Sequence, residues 1–267
     1  MYQSHWGLRE SPFRNCLDPQ FFYPSPTHDE ALARLHFIVE ERRRLGLLMG
    51  PAGSGKSFML ELFAPQLRRS GRKVAMLNLI GVEPDEMLWL LAAQFGRYLD
   101  RTTSTTVLWR ALSDRLVEFR YQQLDAAILL DDADQASRSV LPHLVRLAKY
   151  DSSPASRLTL ILVGERERMG RLGDAILGLA ELRIDLEPWA PEDTQNFVIK
   201  SLCQAGRQLP VFAEPAIARL HELSHGIPRQ VRQLADLALV AGAGRELKQI
   251  GPDVVESVYH ELGAVGA

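Results

Sequence analysis

The stretch Gly50-Pro51-Ala52-Gly53-Ser54-Gly55-Lys56-Ser57 decides the fold of this chain. It fits G-x-x-x-x-G-K-[ST] in full, and it follows an apolar run, residues 45–49. A strand before and a helix after, expected over about 55–69, are the context this pattern requires. Glycines let the backbone wrap closely around phosphate oxygens, and inward amides at a helix N-terminus favour negative charge. The chemistry expected of Lys56 is contact with the β and γ phosphates. Ser57 is expected to ligate Mg²⁺, with residues Gly50 to Phe58 forming the nucleotide-binding set.

Working outward, a second element of such a site should lie at the end of another apolar strand. Residues 126–130 supply it, ending in Asp131-Asp132. Asp131 is placed to hold Mg²⁺ through its water shell. Asp132 stands where hydrolysing enzymes of this class usually carry Glu to polarise the attacking water. One methylene shorter, it predicts slow turnover. The long separation between Ser57 and Asp131 leaves room for a further strand, at about 74–79, with helices. That layout is RecA-like. No Asn-Lys-x-Asp segment is present, which favours ATP over GTP.

Further apolar runs at about 158–163 and 182–186 complete five strands interleaved with helices. Such alternation predicts an α/β core with a parallel five-stranded sheet and helices on both faces. Helices are expected over 137–150, where Pro142 signals a kink or a later start, and near 171–179. After Pro188 only helices are expected, over 191–205, 215–224, 228–241 and 252–262, each opening with proline at or near its first turn. The expected organisation is an N-terminal strap over 1–26, an α/β nucleotide-binding core over 27–189 and a small all-α domain over 190–267. The strap reads as irregular and aromatic-rich. Thr27 and Glu30 stand in capping-box spacing before the first long helix.

Composition sets the outer bounds. There are 31 Lys and Arg against 33 Asp and Glu, a formal net charge of −2, with 46% hydrophobic residues. That describes a folded globular chain and removes the simplest case for a nucleic-acid binder, a strongly basic domain. Cys16 and Cys203 are too few and too far apart for a disulfide framework and read as core thiols. No apolar run approaches the roughly 18–20 residues of a spanning helix, and the start MYQSHWGLRESPF lacks the pattern of a signal peptide. The expected compartment is the cytoplasm.

Together these features resemble the AAA+ superfamily and, more narrowly, the ExeA/GspA-type ATPases of bacterial secretion and pilus assembly. The resemblance begins at Trp6-Gly7-Leu8, Pro12-Phe13, Asp18-Pro19, Phe21-Phe22 and residues 28–32, which are similar to that family's strap and first helix. It continues through the phosphate-binding loop and Asp131-Asp132-Ala133-Asp134. It extends over Leu186-Glu187-Pro188-Trp189, Glu192-Asp193-Thr194, Ala205-Gly206, Phe212, residues 224–229 and residues 234–239. It implies an ATP- and Mg²⁺-binding, oligomeric assembly or remodelling factor, with the nucleotide between the core and a helical lid.

The resemblance also assigns residues. Arg229 is implied as the lid arginine that senses the γ-phosphate, against a plain solvated helix-start arginine. Arg183, just before the last core strand, is implied as the finger offered to a neighbour's nucleotide, against a surface ion pair with Glu181 or Asp185. His28 and the strap aromatics are implied near the adenine, against plain packing. Glu165 falls where the family has a neutral polar group facing the γ-phosphate or attacking water. A carboxylate there repels phosphate unless Arg166 or Arg168 pairs with it, which again predicts slow hydrolysis.

Three readings therefore stand: an assembly factor for an envelope or secretion machine, a DNA-associated regulator, and an ATP-dependent scaffold with little turnover. The implied partners are further copies of the chain in a ring or filament, and an envelope or secretion protein holding the chain peripherally at the inner membrane. DNA belongs to the second reading, through the basic clusters Arg42–Arg44 and Arg68, Arg69, Arg72, Lys73. Such clusters also arise as solvated helix ends.

Overall fold

The structure, a computed structural model, describes residues 2–13, 22–153 and 155–265, with the backbone alone at 263–265. Two compact units are distinguishable. One comprises His28–Pro51 and Lys56–Leu186, and the other Met1–Thr27, Ala52–Gly55 and Glu187–Ala267.

The first unit is an α/β layer structure. Its strands are β1 (Leu45–Gly50), β2 (Lys73–Asn78), β3 (Ala126–Asp131), β4 (Leu158–Glu165) and β5 (Leu182–Asp185). They form one sheet in the order β2-β3-β4-β1-β5. Every pairing is parallel, with Leu47 opposite Leu162, Ile128 opposite Leu160 and Asn78 opposite Asp131. All six residues of β3 are buried. That is why it reads as a continuous apolar run rather than an alternating one. The connecting helices are α2 (Pro26–Glu40), α3 (Lys56–Arg69), α4 (Pro84–Gln94), α5 (Thr105–Tyr121), α6 (Leu141–Ala148) and α7 (Asp174–Leu177). Because β4 lies between β1 and β3, the loops leaving all three strands emerge side by side. Open parallel sheets bind ligands at those carboxyl ends.

The second unit is helical. It contains α1 (Tyr2–Trp6), α8 (Pro191–Gln204), α9 (Glu214–Ser224), α10 (Pro228–Gly244) and α11 (Pro252–Val265), with one parallel bridge between Phe212 and Ile250. Trp6, Phe13, Phe197, Val231, Leu239 and Val255 share its core. Tyr23 packs edge-on to Trp189 with ring centroids 5.5 Å apart. Among the described residues no helix is long and apolar enough to cross a membrane.

Several local expectations are corrected. The N-terminal segment is not wholly irregular, since α1 carries Trp6, which is 1% exposed. Helix α2 begins at Pro26, so Thr27 lies inside its first turn, its hydroxyl 2.9 Å from that of Ser25. Proline fixes φ at the first helical position and sets the start two residues earlier than the Thr27–Glu30 spacing suggested. Pro142 marks a late start for α6 rather than a kink. The helix expected over 171–179 is broken at Gly173, whose φ of 78° ends a 3₁₀ turn before α7. Cys203 is exposed on α8 rather than in a core. Cys16, Asp18, Pro19 and Phe21 lie outside the described residues.

Candidate nucleotide site

At the carboxyl end of β1 the chain turns through Pro51 into the loop. Gly53 and Gly55 have φ of 82° and 100°, a region open to glycine and strained for other residues. Lys56, 7% exposed, opens α3 and donates from Nζ to the carbonyls of Gly50 at 3.0 Å and Pro51 at 2.9 Å. Burial pushes its pKa down, while the charges of Glu165, Asp134, Asp131 and Asp132 pull it back up. A buried ammonium, bonded to two backbone carbonyls, thus feels the charge of four carboxylates.

Asp131 closes β3 and is 5% exposed. Burial raises its pKa, opposed by a hydrogen bond from the Ser57 hydroxyl. The backbone N–H of Asp132 also donates to Asp131 Oδ1 at 3.0 Å. Ser57 and Asp131, far apart in sequence, are thus near enough for the hydroxyl to act on the carboxylate. Their oxygens suit a hard cation. Among the described residues no group of three His, Cys, Asp or Glu forms an all-protein metal cage. Mg²⁺ does not require one, because phosphates and water complete its shell. The glycine turns, the buried lysine and this Ser–Asp pair fit a magnesium-bound nucleotide.

Asp132 adopts a left-handed backbone, φ 48°. Its Oδ2 accepts from Asn78 Nδ2 at 2.6 Å, and its Oδ1 accepts from Gln135 at 3.4 Å. Asn78 in turn accepts from the N–H of Ile80 at 2.9 Å. The sequence reading missed Asn78; the available signal was a polar residue ending an apolar strand. It also gave no role to Asp134, which is 2% exposed and accepts from the N–H of Glu165 at 3.2 Å. A Cβ at Gly164 would overlap Asp134 Oδ1 and lie 2.8 Å from Met169 Sδ, so a larger residue there forces those buried side chains to shift.

Glu165 pairs with Arg168 at 3.2 Å, whereas Arg166 pairs with Asp185 at 3.0 Å. Of the two arginines considered for it, Arg168 is the one that partners it. Arg183 is the second residue of β5, not a residue before the strand. It is exposed and donates to Leu177 O at 3.4 Å. Among the described residues neither ion pair considered for it is present; Glu181 is engaged by Arg43 and Arg44, and Asp185 by Arg166. In the helical unit, the N–H of Arg229 donates to Gly53 O at 3.2 Å. A Cβ on Gly53 would lie 2.8 Å from that of Arg229, so the loop tip needs glycine for close approach as well as for φ. Ser54 is buried, Ala52 exposed, and Phe58 partly buried. His28 is 4% exposed, and Trp6, Phe13 and Tyr23 pack with the helical unit.

Comparison with known proteins follows the same lines. The profile of the AAA domain matches residues 39–172. General secretion pathway protein A of Aeromonas hydrophila is 28% identical over 269 residues, covering 99% of this chain and 49% of that protein. The chain therefore spans about half the length of this curated relative. Among solved structures, Cdc6p from Pyrobaculum aerophilum superposes with a TM-score of 0.70 at 18% identity, covering 91% of this chain and 71% of that one. Drosophila ORC bound to DNA gives 0.72 at 15% identity, covering 98% and 65%. The Thermotoga maritima RuvB Holliday junction branch migration motor gives 0.58 at 15%, covering 88% and 69%. At these identities the likeness is one of fold.

Proposed function

The chain belongs to the AAA-domain family, and from that premise we propose that it is a slowly hydrolysing ATPase that acts as an oligomer. The work proposed for it is assembly or remodelling of an envelope or secretion component. The observation that carries the ATPase reading is the buried Lys56, held at the loop by the carbonyls of Gly50 and Pro51, with the charge of the buried Asp131 from the second motif acting on it. The relation to general secretion pathway protein A supports the choice of partner class.

In this reading Gly50 to Phe58 bind the phosphates, with Lys56 leaving its two carbonyl acceptors to meet them. Ser57 and Asp131 hold Mg²⁺, which when bound neutralises phosphate charge. Asp132 polarises water, and Asn78 holds that carboxylate at 2.6 Å until it is released. Glu165, neutralised in part by Arg168, faces the same region. Arg229 adds positive charge at the loop tip. Arg183, exposed and without an ion pair among the described residues, is offered to a neighbouring copy. The proposed location is cytoplasmic, peripheral at the inner membrane through the partner.

A scaffold with little turnover is the second reading. The Asn78–Asp132 bond favours it, because a tethered base is a poor base. Phosphate release measured against protein concentration separates the two. The ATPase reading expects the rate per chain to rise with concentration and to fall in Arg183→Ala. A rate at background at every concentration, with ATP bound, supports the scaffold instead.

A further inference from the structure

The opposite ends of the same strands carry a different chemistry. The connections at the amino ends of β1 to β4, residues 41–44, 68–73, 120–125 and 151–157, hold nine Lys and Arg against three Asp and Glu, in a chain of net charge −2. Sheet topology gathers these segments at one edge. Between three of them, 41–44, 120–125 and 151–157, runs an open groove of about 700 Å³, lined by Arg42, Val117, Arg120, Tyr121, Gln123 and Arg157, among others.

The groove is built rather than incidental. Asp125 anchors two of its arginines, Arg42 through Nε at 3.1 Å and Arg157 at 2.7 Å. Arg157, only 14% exposed, also donates to the backbone and side chain of Gln123, whose φ is 59°. Arg120 is fixed by Asp151 at 3.0 Å. Arg42 and Arg120 each remain 45% exposed, and the rest of each guanidinium fork has no partner among the described residues. Next to Arg120 the ring of Tyr121 is 88% exposed, and Val117 is 49% exposed. Two oriented forks beside a bare aromatic ring combine phosphate recognition with a stacking platform.

We propose that this groove binds a single-stranded segment of nucleic acid, with backbone phosphates on Arg42 and Arg120 and a base against Tyr121. The bare ring of Tyr121 beside the two forks favours a strand over a lipid surface, because a lipid headgroup offers phosphate but no base to stack. Along β1, at about 3.3 Å per residue, the groove end lies roughly 17 Å from the nucleotide loop, so both can be filled at once.

The test uses the full chain and a fluorescently labelled single-stranded oligonucleotide, followed by anisotropy across a salt series. Wild type should bind, with log affinity falling linearly with log salt. Arg42→Gln with Arg120→Gln should make that slope shallower by about two. Tyr121→Ala should weaken binding about tenfold at one salt concentration. Melting temperatures report whether the variants fold, and Tyr121→Ala, at so exposed a position, tests the groove even if the arginine pair misfolds. Three results would overturn the proposal: no binding at low salt, binding indifferent to all three substitutions, or duplex bound equally well with Tyr121→Ala silent. Capture by vesicles containing phosphatidylserine, lost in the arginine variant while the oligonucleotide stays free, would assign the groove to a membrane instead.

Discussion

At the carboxyl ends of β1, β3 and β4 the charges are buried and answer one another. Lys56, Asp131 and Asp134 are 7%, 5% and 2% exposed, and each is held by a named hydrogen bond. At the amino ends of the same strands, Arg42 and Arg120 are nearly half exposed and held by a single carboxylate each. Buried charge is costly unless it is paired, so the first arrangement is retained only where geometry has a use. Exposed ion pairs add little stability, so the second is free to serve affinity and encounter. One sheet thus carries chemistry at one edge and electrostatics at the other.

The contrast can be broken most severely at Gly164. Its added methyl would meet Asp134 Oδ1 and Met169 Sδ on a buried strand end. Gly164→Ala should destabilise the fold by about 2 kcal/mol and lower the melting temperature, as overpacking does. A smaller effect is expected at Asp131, whose pKa burial raises. The folded chain then holds that proton more tightly than the unfolded chain does, so this group's contribution to stability falls as pH rises from the ordinary Asp range through the raised value. At neutral pH the penalty is fully present. Asp131→Asn should therefore raise the melting temperature near pH 7, with the gain fading in acid. The same sign makes Mg²⁺-dependent nucleotide binding weaken on acidification sooner than an ordinary Asp would allow. The smallest effect belongs to the other edge. Arg42→Gln with Arg120→Gln should change stability by about 0.5 kcal/mol or less, as calorimetry would show, and leave ATP affinity unchanged.

These differences also explain what sequence alone could reveal. The loop at residues 50–57 is a local pattern, and an apolar strand ending in Asp131 is another. Both are encoded by neighbours in the chain, as is the alternation that predicts five parallel strands. Asn78 and Asp134 are not local. Asn78 matters because parallel register sets it opposite Asp131, and Asp134 because a 3₁₀ turn tucks it against Gly164. Helix α1 was missed because five residues do not hold a helix alone; Trp6 anchors it by donating to the carbonyl of Leu239, far along the chain. Cys203 was misread because its apolar character said nothing about the helix face, which Phe197, Val198, Ser201 and Leu202 define by their burial. The basic clusters were legible as charge, while the meeting of Arg42 with Arg120 and Arg157 at one groove required the topology.

The central claim is that Lys56, Ser57 and Asp131 together form a magnesium-nucleotide site. Titration calorimetry of ATP into the chain, with and without Mg²⁺, for wild type and Lys56→Ala, tests it most directly. The account predicts magnesium-dependent binding in wild type, weakened at least tenfold in Lys56→Ala, since a charge-assisted hydrogen bond to phosphate is lost. Equal affinity in the two proteins, or binding indifferent to magnesium, would contradict it.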